Sequence, residues 1–305
     1  MAIVLAAVSV AGVRRQDVAV IGKLAIVVAG ATVIFAIANP ERALIPCRPD
    51  KCSPLNSLLT SFFPQENVLA IFMILSIIPV LFGLSGPLRI FGTLLLVSLV
   101  TLSGSRTSIA AALGIVALSL LLTKLRKSSL DAKFRKVSAI SVLVLFSTSA
   151  LLFFLPLDPL AFTGRGFIYG LLRAFWLEQP IIGPGRDVLN YAYSIRISAN
   201  YAISHEHGGM PYMLVNGGIL GVAFFTAWLT RVVYNNSKKT STWISGLALA
   251  FSVAVAIVSL TEPVWTYDLK SPALWSLALV SSSLCRPEEK NFFDEDSNIT
   301  EKHAS

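Results

Sequence analysis

Charge is scarce in this chain, and so are histidine and cysteine. Of its 305 residues only 14% are Asp, Glu, Lys or Arg, against about 25% in an ordinary soluble domain. So few charged side chains cannot coat a globule of this size, which points to lipid as the solvent for much of the surface. With three cysteines and three histidines, no set of residues stands at zinc-ligand spacing, and no metal is expected. The GxSxG, Walker and zincin patterns are all missing. The first residues carry neither a charged n-region nor a small-residue cleavage site, so no removable signal peptide is expected. The net charge of +8 is not gathered in one domain or on one face, which argues against a nucleic-acid partner. The basic residues fall instead in short clusters between apolar runs, as topology signals do.

What is abundant is apolar sequence, 54% of the chain. Runs long enough to span a bilayer, or nearly so, occur at about 18–38, 67–85, 88–103, 107–123, 137–155, 210–230, 242–260 and 271–285. Residues 1–13 form a further run too short to cross alone, of the size expected for a helix whose beginning is missing. In lipid such runs must be helices, because every backbone polar group needs a partner within its own segment. The expected fold is therefore all-α. It is a polytopic transmembrane bundle of about 8–9 helices over residues 1–285, followed by a polar, disordered cytoplasmic tail at 286–305.

Orientation follows from three basic clusters: Arg14 with Arg15, the linker 124–136, and Arg231 with Lys238 and Lys239. Placing all three in the cytoplasm is consistent with the number of helices between them. Segments 39–66, 156–208 and 261–270 then lie outside. Cys47 and Cys52 in the first of these are disulfide candidates. The long middle loop is expected to hold a short amphipathic helix near 166–178, where Phe167, Leu171, Phe175 and Trp176 recur at helical spacing. Chemistry is sought in this extracytoplasmic loop of a multi-pass cell-membrane protein.

Ser103-Gly-Ser-Arg-Thr-Ser108 marks the outer boundary between two apolar runs. Ser105 or Thr107 would cap the next helix, whose free N–H groups and positive dipole end make an outward anion site with Arg106. A snorkelling interfacial arginine would look the same. Thr163-Gly-Arg-Gly-Phe167 repeats the arrangement, with Arg165 opening the amphipathic helix. Arg173, Arg186 and Arg196 add to an outer arginine excess opposed by few acids. Guanidinium forks match phosphate oxygens bidentately, so the excess implies an anionic ligand, with solvated loop charge as the alternative. His205, Glu206 and His207 precede the next apolar run, and a histidine there suits a general base.

Taken together, several of these segments resemble the O-antigen ligase/polymerase superfamily. The resemblance rests on Gln65-Glu-Asn-Val-Leu-Ala70, Ser105-Arg-Thr-Ser108, Gly164-Arg165, Pro180-Ile-Ile-Gly-Pro-Gly185, and His207 followed by Gly218 and Gly221. It spans roughly residues 60–230, with glycine at 208 where the family's ligases carry a small polar residue. The resemblance implies a metal- and cofactor-independent glycosyltransferase of surface polysaccharide assembly. It would move a glycan from a polyprenyl-diphosphate (undecaprenyl diphosphate) carrier to a glycan or lipid-glycan acceptor on the extracytoplasmic face. Arg106 and Arg165 would bind and neutralise the leaving diphosphate. His207, or His205 in a shifted register, would orient or deprotonate the acceptor hydroxyl. Arg173, Arg186, His205 and Glu206 would contribute to substrate binding. A transporter or flippase of a lipid-linked anionic glycan is the reading from another class, and a truncated, non-catalytic member is a third. A transporter should carry mid-membrane charges and broken helices in paired positions. The helix centres here are almost free of charge.

Overall fold

The computed structural model describes residues 15–47, 52–125, 153–158, 161–185 and 209–237, with single helical positions between 140 and 151 and between 247 and 254. The expected run at 1–13, most of the 124–136 cluster, the turn 261–270, the span 271–285 and the tail 286–305 lie outside the described residues. So does most of the span 242–260.

The described residues are mostly helical. The elements are α1 (Arg15–Ala38), α2 (Pro40–Ala43), β1 (Leu44–Pro46), β2 (Ser57–Leu59), α3 (Glu66–Gly83), α4 (Gly86–Leu102), α5 (Arg106–Leu125), α6 (Ala161–Glu178) and α7 (Gly209–Ser237). Among them α1 and α3 are long and apolar enough to cross a membrane, while α4, the first part of α5 and the middle of α7 are shorter apolar helices. The boundaries of α3 and α4 fall close to those expected from hydropathy. Prolines at 40 and 87 start α2 and α4, where a missing N–H costs no helical hydrogen bond.

The all-α expectation needs one addition. The segment after α1 contains a short antiparallel hairpin pairing Leu44 with Leu59 and Pro46 with Ser57. A disulfide joins Cys47 to Cys52 within its connection. Strands of three residues carry too little periodicity to be legible in sequence. The two strands pair through main-chain bonds, and beyond them the N–H groups of Thr60 and Ser61 both donate to the Ala43 carbonyl.

Helix α3 is the axis of the bundle. Leu69, Met73, Ile74, Ile77, Ile78 and Val80 are fully buried, and α1, α4 and α5 pack around it. Its contact with α1 is close and antiparallel. A Cβ on Gly83 would lie 2.7 Å from the Val18 and Ala19 backbone, and one on Gly22 would lie 2.9 Å from the Pro79 carbonyl. Small residues at these points let two backbones approach within van der Waals range. At the other end of α1, Phe35 meets Phe62 edge-on at 6.0 Å, Phe62 stacks on Phe63 at 4.8 Å, and Phe63 reaches Phe72 of α3 at 5.5 Å. The hairpin is thereby clamped to the bundle. By contrast Val20, Leu24, Val27, Ile34 and Ile37 on α1, with Ile90, Phe91 and Leu94 on α4, stand exposed.

Candidate functional site

Helix α7 is broken at Gly218, whose backbone (φ 59°, ψ −159°) lies outside any helical region. Only glycine adopts that conformation readily. A break in a helix frees main-chain groups, and here three of them, the N–H groups of Ile219 and Leu220 and the Val215 carbonyl, are answered by the segment after α6. Ile219 N–H donates to the Pro180 carbonyl at 3.0 Å and Leu220 N–H to the Ile181 carbonyl at 3.2 Å. In return Gly185 N–H donates to the Val215 carbonyl at 2.9 Å. Residues 179–185 therefore act as a strap plugged into the break by main-chain bonds.

The fit is tight on both sides. Gly183 also has positive φ (78°), and a Cβ there would lie 2.7 Å from the Leu214 carbonyl and 2.8 Å from the Gly218 nitrogen, and against the Val215 carbonyl. A Cβ on Gly218 would strike the Ile181 carbonyl. Thus Pro180–Gly185 and Gly218, far apart in the chain, become one structural unit. Sequence reasoning singled out both segments but read the second as an unbroken helix. The Gly217-Gly218 pair was the available signal, since paired glycines mark turns.

Arg106 sits at the other described part of the site, as the first residue of α5 and exposed. Ser105 occupies the N-cap position, its carbonyl accepting the Ile109 N–H at 2.9 Å. Its hydroxyl turns to Ser108 Oγ at 2.8 Å, and the preceding Ser103 hydroxyl donates to the Val100 carbonyl at 2.7 Å. These three serines are buried and hold the turn between α4 and α5 rigid. The disulfide-closed hairpin leans on this turn, with Leu58 Cδ2 and the Cys52 backbone facing Gly104. The Arg106 guanidinium has no hydrogen-bond partner among the described residues.

Two of the arginines differ from expectation. Helix α6 begins at Ala161 instead of 166, so Arg165 stands in its second turn and does not open it. At Gly166 the Asp158 backbone passes against the helix, and a Cβ there would collide with the Asp158 carbonyl. The side chains of 161–165 lie outside the described residues. Arg173 donates through one terminal nitrogen to the carbonyls of Phe154 and Leu155, at 2.7 and 3.0 Å. Leu155 N–H closes onto the Leu151 carbonyl, so Arg173 caps the end of the preceding helical stretch. That nitrogen is committed to the fold.

Beside Arg173, Trp176 is buried against Phe153 and Phe154, its centroid 6.4 and 5.2 Å from theirs. Its indole N–H lacks an acceptor among the described residues. Arg186, Arg196, His205, Glu206 and His207 lie outside the described residues; Arg186 follows the strap directly and His207 comes two positions before α7. Among the described residues no cluster of His, Cys, Asp and Glu could hold a metal ion. Compared with family models, with curated proteins and with solved structures, the chain matches none.

Proposed function

We propose that the chain is a polytopic membrane glycosyltransferase that transfers a glycan from a polyprenyl diphosphate to an acceptor sugar hydroxyl at the extracytoplasmic surface. The acceptor oxygen forms the new bond to the anomeric carbon. The bond from that carbon to the diphosphate oxygen breaks, and the diphosphate leaves with the electron pair. Arg106 and Arg165 neutralise that leaving group, which grows more negative in the transition state. His207, or His205, takes the proton from the acceptor hydroxyl. Arg186 and Glu206 complete the polar lining, and the reaction as written needs neither metal nor nucleotide.

The observation that carries this reading is the joining of Pro180–Gly185 to Gly218, because these are two of the segments on which the resemblance to O-antigen ligases and polymerases rests. A membrane setting is supported by the exposed apolar faces of α1 and α4, which water would disfavour and lipid would not; the reading takes the bundle to have about 8–9 helices. The test uses the full chain reconstituted in vesicles with a polyprenyl-diphosphate-linked oligosaccharide and a panel of acceptors. Transfer is expected, and it should be lost in both Arg165→Ala and His207→Ala while both variants still insert. Undiminished transfer in those variants sinks the assignment.

The break in α7 gives the second reading, a transporter or flippase of the same lipid-linked glycan, its specific support, since transporters build their sites from discontinuous helices. In this break, however, the N–H groups of Ile219 and Leu220 are taken by the chain's own carbonyls. Movement of the unaltered donor across the vesicle membrane, without transfer, would decide for that reading.

A further inference from the structure

We infer that Gly183 and Gly218 are positioning residues: through them the strap 179–185 is held fixed in the break of α7, so that the chain leaves it for residue 186 at one set point beside the N-terminal half of that helix. This role rests on the transfer reaction proposed above. The N-terminal half of α7 carries Tyr212 to Val215, all buried, and it starts two positions after His207. Gly185 N–H is bonded to the Val215 carbonyl within this half, whereas Pro180 and Ile181 are bonded to the half beyond the break. The strap thus grips both halves at once. It fixes the angle between them as well as the departure point of the following segment, which begins with Arg186.

Main-chain bonds suit this purpose because their geometry does not depend on rotamers. Both partners are short of side-chain bulk for a steric reason, since any Cβ at 183 or 218 meets backbone and not a movable side-chain end. A displacement of about 1 Å at reacting groups costs on the order of 100-fold in rate.

The test is made in the full-length chain with Cys285→Ser, leaving the Cys47–Cys52 disulfide intact. Ile181→Cys and Leu220→Cys are added. Both native side chains are exposed, and their backbones are joined by a hydrogen bond. A short thiol-to-thiol reagent should join them in high yield, and the cross-linked protein should transfer glycan as fast as the uncross-linked one. Adding Gly183→Ala should lower the cross-linking yield and lower kcat by about 100-fold with the KM for donor unchanged. Loss of transfer on cross-linking the parent, or a raised KM with unchanged kcat in Gly183→Ala, overturns the role. Failure to cross-link in a parent that is active also overturns it. A parent that cross-links but transfers nothing overturns the glycosyltransferase reading, and this role with it.

Discussion

Gly183 and Gly218 meet backbone to backbone: a Cβ on either would lie within 2.8 Å of the other's main-chain nitrogen. Neither glycine could be replaced without moving the chain that faces it. Gly218→Ala should therefore destabilise the protein by about 2–4 kcal/mol, combining a disfavoured positive φ with the loss of buried main-chain hydrogen bonds. Gly221→Ala is the matched control, because a Cβ there meets only the Met213 carbonyl oxygen at an ordinary 3.7 Å. Thermal unfolding in detergent should show a clear fall for the first and little change for the second. Equal effects would mean that the strap contributes nothing.

Arg173 and Arg106 should separate stability from activity. Arg173→Ala removes two charge-assisted bonds to the carbonyls of Phe154 and Leu155, a loss of about 1.5–3 kcal/mol. Arg106 is exposed at the start of α5, and Arg106→Ala should leave the unfolding temperature unchanged. Under the proposed function it should nevertheless reduce transfer by about 100-fold or more. A drop in unfolding temperature for Arg106→Ala with transfer preserved would reverse the two roles.

The α1–α3 contact offers a steric test. At Gly83 a larger residue meets the Val18 and Ala19 backbone, so Gly83→Leu should separate the two helices. At Gly30, on α1, a Cβ would find nothing within 4 Å, and Gly30→Leu should be tolerated. Limited proteolysis of the two variants in detergent reads the difference, with rapid loss expected for Gly83→Leu alone.

The disulfide can be counted directly. Native protein should react with a maleimide at Cys285 only, and at all three cysteines after reduction. Closing so short a loop stabilises the fold by about 2 kcal/mol on the chain-entropy estimate. Cys47→Ser should lower the unfolding temperature accordingly. Three reactive thiols in protein isolated without reductant would remove the link.

Topology is the last test. Single cysteines placed in 124–136 and in 156–208 of a Cys285→Ser chain should be labelled from opposite faces of intact cells or oriented vesicles. Labelling of both from one face would refute the proposed orientation, and with it the extracytoplasmic site.

Much of the helix placement was legible in the chain. The starts of α3 and α4 lie within two residues of the hydropathy estimates, because a run of apolar side chains fixes where a helix can be buried. Cys47 and Cys52 were legible as a pair because only a short polar stretch separates them. Arg106 at the head of α5 was legible because small polar residues between two apolar runs leave only a turn and a cap.

The departures share one cause: they depend on what another part of the chain supplies. Gly164 and Gly166 read as a boundary, yet α6 starts upstream of both, and Gly166 inside it leaves the space that the Asp158 backbone occupies. Arg173 reads as a free outer cation until the carbonyls at 154 and 155 are seen at its terminal nitrogen. The break at Gly218 is invisible to hydropathy, since apolar residues continue on both sides of it. Among the described residues, sequence alone determined where the apolar helices α1, α3, α4, α5 and α7 lie, through side-chain chemistry that acts locally. Only the tertiary structure decided that α7 is two helices, because a helix can be interrupted there only when Pro180, Ile181 and Gly185 arrive to satisfy the groups it frees.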